Sequence, residues 1–413
     1  MKLKVLLVGP LLTRSGYGEQ ARFALRALRS RSDLFEVYVR PLAWGQTSWI
    51  SSYDEEKAWI DETIEKTIAY TSQGGQFDTS IQVTIPNEWQ SYAPINIGYT
   101  AGIETTQVSH VWLQAANQMD RIVVVSNHSK DVFEKTSYSG ADEATGQEIN
   151  LKLTTRCVAV NYPVKVYETS SDLELDLKFK TNFLAVAQWG PRKNVINMIK
   201  WFVEEFKEDE VGFVIKTNQS KNSLMDREFC EGNLKAILAD YPDRKCKVYL
   251  LHGDMTDTEM HALYKQDSIS AFVAIPHGEG FGLPIFEAVY SGLPVVATGW
   301  SGQMDFLCDE NGKEHFYNVA YDIHKVQPEV VWENIILETS GWAYARETSY
   351  KQKLRECYTD LQSGPESVEA AQKYAEQVTA RFDEQKMYDE FIDAIDAEDA
   401  AAWNQSLSEI EIL

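Results

Sequence analysis

Residues 277 to 288 read HGEGFGLPIFEA. Glu279 and Glu287 stand at the two ends of an apolar stretch that also holds Gly280, Gly282 and Pro284. The pattern places Glu279 in the loop after a strand, AFVAIP, and Glu287 in the first turns of the helix that follows. Backbone N–H groups of Gly280, Phe281 and Gly282 then gather near a helix N-terminus, an arrangement suited to phosphate. The glycines permit a close approach that a side chain would block. Carboxylates beside a phosphate repel it, so they serve as acceptors for hydroxyl groups. A ligand with a central diphosphate and hydroxylated rings on both sides satisfies all three elements, and a nucleotide sugar is such a molecule. Taken singly, Glu287 also reads as favourable charge at a helix start and Glu279 as a solvated side chain. The pair around EGFGLP resists that reading, because glycine, glutamate and proline all break the surrounding strand pattern.

The elements that must position this segment follow from its surroundings. NFLAVAQ, VGFVIKT, KVYLLHG, AFVAIP and PVVATG read as strands, separated by NVINMIKWFVEEF, TDTEMHALYKQ and PIFEAVYSG as helices. This is a doubly wound α/β pattern, which binds ligands in the turns at strand ends. An earlier alternation opens the chain: KLKVLLVGPLL as a buried strand, a glycine turn, a helix with Phe23, Ala24, Ala27 and Leu28 on one face, then FEVYVRPL. QVTIP (82–86), NIGYTAG (96–102), a helix around Trp112, a strand–cap–helix in DRIVVVSNHSKDVFEK and a short strand in CVAVNYPV complete it. Residues 138–153 look like an exposed excursion, and the polar stretch 167–182 like a linker. The expected domains are therefore residues 1–170 and 171–382, with a C-terminal helical segment over 383–413.

Composition narrows the classes. The chain has 413 residues, 44% of them hydrophobic, which suits two domains with substantial cores. No apolar run approaches the roughly 18–20 residues of a membrane span, and the N-terminus reads as a strand better than as a signal peptide. Five scattered cysteines show neither metal-ligand spacing nor a disulfide framework, so the expected setting is a reducing cytoplasm. The net charge of −23 is uneven: residues 1–165 hold 16 Lys and Arg against 18 Asp and Glu, the remainder 23 against 44. A polyanion would be repelled by the second part and not by the first. Extensive nucleic-acid contact is therefore disfavoured, while a local contact remains open.

HGEGFGLPIFEAVYSGLPVVAT resembles the signature of retaining glycosyltransferases of family 4, in which two glutamates are separated by seven residues. TGWSGQMDFL resembles the glycine-containing loop that comes next in that family. SGYG (15–18) matches its N-terminal glycine loop, GYTAGIET and MDRIVVVSNHSKDVF the end of its first domain, and GPRKN (190–194) its basic diphosphate motif. The resemblance implies a GT-B fold, two Rossmann-like domains facing across a cleft, with a last helix crossing back onto the first domain within 383–397. It further implies that Glu279 contacts the transferred sugar near its anomeric centre and that Glu287 holds the ribose hydroxyls. Phe281, Gly282 and Leu283 would offer backbone groups, Lys193 would hold the diphosphate, and Gly16 would let backbone approach the distal phosphate or the acceptor. The family has an arginine five positions before that lysine. This chain has Gln188 there, so either Arg192 substitutes or leaving-group stabilisation is weaker than usual. The family works without a metal, and DLELD (172–176) falls in the linker, so no cofactor and no metal are expected beyond the donor itself.

Glu104, at the end of the strand 96–102, is the candidate cleft residue of the first domain, with an ordinary loop glutamate as the plain alternative. His110 and His128 read as surface or packing residues. Asp254 and Met255 end the strand KVYLLHG and would border the nucleobase. Arg14, Arg22, Arg26, Arg29, Arg31 and Arg40 form either a solvated helix face or a basic strip for an anionic acceptor such as a lipid phosphate, a charged glycan or a modified DNA base. The expected activity is transfer of a sugar to an acceptor hydroxyl. Its rivals are a GT-B 2-epimerase of nucleotide sugars and an inactive GT-B subunit that only binds.

Overall fold

A computed structural model describes residues 2–45, 47–50, 54–141, 148–167 and 173–395. The chain divides into two units. The first comprises residues 1–163, Gln327–Ser340 and the chain from Phe382 on, and the second Val164–Val326 with Gly341–Arg381. The expected boundary near 170 thus falls at Pro163, where the chain leaves the strand layer of the first unit. The segment Gln327–Ser340, expected in the second domain, belongs to the first: Ile335 is buried with Val108, Trp112 and Phe133.

The first unit is built on β1 (Leu3–Gly9), α1 (Gly16–Ser30), β2 (Phe35–Pro41), α2 (Glu55–Ser72), β3 (Thr79–Val83), β4 (Ile95–Thr100), α3 (His110–Ala116), β5 (Arg121–Val124), α4 (Asn127–Lys135), β6 (Ser137–Ala141), β7 (Glu148–Lys152) and β8 (Arg156–Ala159). The strand expected over 82–86 is β3, which starts three residues earlier and stops before Pro86, a residue that cannot donate to the ladder. Where an excursion was expected, β6 and β7 pair as an antiparallel hairpin. The main sheet runs β2-β1-β3-β4-β5-β8, parallel throughout. Sheets covered on both faces need near-continuous apolar strands, and LKVLLVG is buried at all but Lys4. In α1, Phe23, Ala24, Ala27 and Leu28 are all fully buried, as their spacing requires.

The second unit contains β9 (Asn182–Gln188), α5 (Val195–Phe206), β10 (Gly212–Asn218), α6 (Leu224–Ala239), β11 (Lys247–Leu251), α7 (Asp257–Tyr264), β12 (Ala271–Ala274), α8 (Leu283–Tyr290), β13 (Val295–Thr298), α9 (Met304–Leu307), β14 (Tyr317–Val319), β15 (Tyr321–Lys325), β16 (Gly341–Ala345), α10 (Glu347–Ser363) and α11 (Glu366–Arg381). Its sheet is parallel in the order β11-β10-β9-β12-β13-β14. Phe183, Phe202, Phe206 and Phe213 fill the space between α5 and this sheet. The order reverses between β9 and β12, so the loops leaving those two strands flank a switch point, where such sheets leave a crevice. The motif residues lie there.

The chain finishes in the first unit. α12 (Glu384–Ala394) packs on α1, with Phe391 5.5 Å and Tyr388 5.8 Å from Phe23 between ring centroids. Of the C-terminal segment expected over 383–413, the part beyond Ile395 lies outside the described residues, as do 168–172 of the expected linker.

Candidate functional site

The loop after β9 is short. Gly190 leads into a 3-10 turn, Pro191–Lys193, and Asn194, at φ 54°, turns the chain into α5. The loop after β12 runs through His277 and Glu279 to Gly282, which caps α8 at φ 100°. That left-handed backbone is costly for any residue with a Cβ. Pro284 occupies the first turn of α8, where its missing N–H costs nothing.

The two loops are tied together. His277 donates its backbone N–H to the Arg192 carbonyl at 2.7 Å. Arg192 donates Nη1 to the Gly278 carbonyl at 2.8 Å and to Glu279 Oε2 at 3.0 Å, and Lys193 donates Nζ to Glu279 Oε1. Glu279 is only 7% exposed, so its charge needs partners. Burial works to raise its pKa, but Lys193 and then Arg192 outweigh burial, and the carboxyl is held below its ordinary value. The two cations expected on a diphosphate and the carboxylate expected on a sugar therefore meet one another. Residue spacing could not reveal this, since the partners are more than eighty positions apart.

A third loop, after β13, braces the second. The Glu279 N–H donates to Ser301 Oγ at 2.9 Å, and the Gly302 N–H donates to the Glu279 carbonyl at 3.0 Å. Ser301 sits at φ 75° without being glycine. A Cβ on Gly302 would lie 2.0 Å from the Gly280 carbonyl oxygen, so only glycine fits. Gln303, fully buried, donates Nε2 to the Thr298 carbonyl at 3.0 Å and holds the loop to its strand. Behind Glu279, His277 lies parallel to Trp342 at 5.3 Å and its Nδ1 is 2.8 Å from the Ala343 carbonyl. Burial keeps this imidazole's pKa down.

Glu287 is half-buried on α8 and accepts a hydrogen bond from the Tyr264 hydroxyl at 2.9 Å. Burial and this carboxylate push the Tyr264 pKa well up, so the phenol stays a donor. Phe281 offers its backbone to the loop, while its ring packs on Phe286 and Phe306. Leu283 opens α8. Lys193, Glu279, Pro284 and Ile285 line a small cavity with Val186, Ala187 and Met198. Gln188, at the end of β9, is exposed and donates Nε2 to the Gln219 carbonyl at 2.6 Å, toward β10.

The loop after β11 holds Asp254 and Met255. Gly253 is at φ 120°, its carbonyl accepts from Lys216 Nζ, and Asp254 Oδ1 accepts from Asn222 Nδ2 at 2.7 Å. Beneath lies a cluster that the sequence reading passed over. Asp226 accepts backbone N–H groups from Gln219 (2.8 Å), Ser220 (2.6 Å) and Lys221 (3.0 Å) and faces His252 Nε2 at 2.9 Å. Cys230 Sγ is 3.8 Å from the same carboxylate. These three are grouped closely enough to hold a metal ion, but the oxygens of Asp226 are already spent on backbone donors. The cluster instead joins the loops leaving β10 and β11.

In the first unit, Gly16 is exposed at the start of α1 and Glu104 lies half-buried after β4. His110 is exposed near Tyr138, and burial lowers the His128 pKa to about 4. The arginines form neither a free basic strip nor a simple solvated face. Arg22 donates Nη1 to the carbonyls of Leu11 and Thr13 and pairs with Glu19, Arg26 pairs with Glu19 and Glu56, and Arg31 pairs with Asp33. Arg29 lies over Trp59 and Arg40 over Tyr92.

Comparison with known proteins agrees with this architecture. Residues 244–326 match the family model for glycosyl transferases group 1, a segment that includes both glutamates. A stretch covering 44% of the chain is 25% identical to sucrose synthase 6 of rice, and spans only 22% of that relative's length. Among solved structures, Anabaena HepE in complex with UDP and glucose superposes with a TM-score of 0.60 at 12% identity, covering 96% of this chain and 100% of that one. A glycosyltransferase from Rickettsia africae gives 0.59 at 12% identity, covering 97% and 98%. The E. coli structure described as trehalose-6-phosphate bound with UDP-2-fluoro glucose gives 0.58 at 10% identity, covering 95% and 98%. The chain has the GT-B fold.

Proposed function

We propose that this chain is a retaining, metal-independent glycosyltransferase of family 4 that acts in the cytoplasm on a nucleotide-diphosphate sugar. The observation that carries the reading is the ion-paired arrangement at the β9/β12 switch point. There Lys193 and Arg192 hold a buried Glu279, eight residues before Glu287, inside the segment matched by the glycosyl transferase group 1 model. A donor diphosphate entering at the N-terminus of α8 would compete with Glu279 for the two cations. It would draw Lys193 and Arg192 toward the phosphates and release the Glu279 carboxylate for the sugar hydroxyls. Glu287, with one oxygen set by Tyr264, would take the ribose. The neighbours bound to UDP and UDP-sugar analogues make uridine nucleotides the first donors to try.

In the reaction the bond from sugar to diphosphate loosens toward an oxocarbenium-like centre. The acceptor hydroxyl adds on the same face, and its proton passes to the departing phosphate oxygen. Lys193 and Arg192 stabilise the charge that develops on the leaving group. The protein positions the partners, and no covalent nucleophile is assigned.

The test is a thermal-shift and hydrolysis screen of wild type and Glu287→Ala against UDP-, GDP- and ADP-sugars. Stabilisation by one donor, reduced in the variant, is the expected result. Consumption of a donor with epimerised product and no acceptor would replace the reading by a 2-epimerase. No shift with any donor would leave an inactive binding subunit.

A further inference from the structure

Helix α6 carries apolar side chains on the face turned away from its own core. It crosses from β10 to β11, the edge strand of the second unit's sheet, and packs on α5 and β10. Its inner face holds the buried Asp226, Cys230 and Leu234. On the opposite face stand Met225, 80% exposed, and Phe229, 40% exposed, one turn apart. Gly232, Ala236 and Ala239 continue the same line, and all three are exposed. The steps from 225 to 239 alternate four and three residues, the period of a seam between two paired helices. One half of this seam projects and the other half is hollow.

Gly232 stands inside the regular helix, and a Cβ placed on it would meet nothing within 4 Å. Neither backbone conformation nor packing within the chain requires a glycine there, and glycine weakens a helix relative to alanine. A second helix laid against this face supplies the reason, because small residues let two helix backbones approach closely.

Charge and shape together say which helix. Glu228 and Lys235 are exposed on one flank of the seam, one heptad apart and of opposite sign. Lys235 reaches Glu231 at 3.6 Å with its side chain 79% exposed. In an antiparallel pair related by a two-fold axis, each flank faces the same flank of the partner. With the axis at the level of Cys230 and Glu231, Met225 comes level with Ala236 of the second copy, and Phe229 with Gly232. Each bulky residue then enters the other copy's hollow. Glu228 stands about 3 Å along the helix from Lys235 of the second copy, and this pairing occurs twice. A patch that complements itself in shape and in charge suits an isologous interface. An anionic membrane would instead meet Glu228, Glu231 and Asp240 around the patch.

We propose that the chain self-associates through α6, packed antiparallel on α6 of a second copy. The proposal does not depend on the donor chemistry. One helix pair buries a small area, and the net charge of −23 opposes association, so the dimer is weak. A Kd on the order of 10–100 μM is expected in about 0.15 M salt. Sedimentation velocity of the full chain from about 1 to 300 μM brackets that value. Gly232→Leu fills the hollow at a position where the chain itself leaves room. It is expected to melt no lower than wild type and to dimerise at least tenfold more weakly. Met225→Gln, at a site already in solvent, should weaken the dimer likewise. Glu228→Lys should weaken it several-fold, and adding Lys235→Glu should restore it. Wild type monomeric at every concentration, dimerisation unchanged in Gly232→Leu and Met225→Gln, or no recovery in the double variant would each overturn the proposal. So would binding of wild type to phosphatidylglycerol vesicles without self-association, which would assign the patch to a membrane surface.

Discussion

At the scale of single residues, Glu279 decides how the site behaves. A buried carboxylate is tolerable only while its cations remain, and removing one partner leaves charge without compensation. Lys193→Ala is expected to cost about 2–3 kcal/mol, as Arg192 still serves the other oxygen. Arg192→Ala, at a more exposed guanidinium, should cost about 1 kcal/mol. Urea denaturation of both variants checks the order, and the reverse ranking would mean that the lysine contact contributes little. Tyr264→Phe probes the other glutamate. It removes one donor to Glu287 Oε2 and leaves the ring packing against Phe272. A loss near 1 kcal/mol in stability is expected and, on the proposed donor reading, a several-fold rise in the donor KM with kcat nearly unchanged, because a ribose bound by Glu287 would be held alike in ground and transition states. Steady-state kinetics separate the two parameters, and a fall in kcat alone would place Glu287 nearer the chemistry.

At the scale of elements, three strand-end loops are joined in turn, and Gly302 is where the loop after β13 meets the loop after β12. Gly302→Ala would drive a methyl group into the Gly280 carbonyl, 2.0 Å away, so the loops must part. A loss of at least 2 kcal/mol and of donor binding is expected, read by thermal melting with and without nucleotide sugar. The adjoining loops depend on Asp226. Burial raises its pKa, but the N–H groups of Gln219, Ser220 and Lys221 together with His252 outweigh this and hold it far below the ordinary value. A depressed carboxylate stabilises the fold above its unfolded pKa of about 3.9 and loses that contribution as pH falls toward the folded value. Asp226→Asn should therefore be about 2–3 kcal/mol less stable at pH 7, and its stability should fall less than that of wild type between pH 5 and 2. Parallel curves in chemical denaturation would count against this role. The strands of the two main sheets through β13 and the helices α1, α3, α4, α5, α7 and α8 were legible because apolar periodicity survives in any one window; α2, α6 and α10 were not, since each turns only three residues fully into the core. The Asp226 tie was not, for it joins three backbone N–H groups to a side chain whose partner His252 lies on another strand end. Gly302 was legible only as a glycine in a loop; its reason is a contact with a loop some twenty residues earlier.

At the scale of the whole molecule, the chain returns to its first unit after completing the second. The two glutamates and their glycine loop could be read directly, since their spacing within one stretch is itself the signal. The six arginines in the first forty residues could be read as a solvated face or as a strip for an anion, and spacing could not decide, because folding turns Arg22 and Arg26 inward to Glu19 and Glu56. The return itself rests on aromatic packing. Phe391 is fully buried against Phe23 and Tyr99, at 5.5 and 5.1 Å between ring centroids. Helix α1, which carries Gly16, Tyr17 and Gln20, is thus covered by residues 365 and 368 positions beyond Phe23. Phe391→Ala should cost about 3–5 kcal/mol by leaving a cavity that α1 and α12 close only in part. The effect should be local to the first unit. Hydrogen exchange should rise in α1 and β4 and stay unchanged in β9 and α8, and the nucleotide-sugar thermal shift should persist at temperatures below the first unit's melting. Uniform loss of protection across both units would mean instead that they unfold as one cooperative body, with α12 holding the entire chain together.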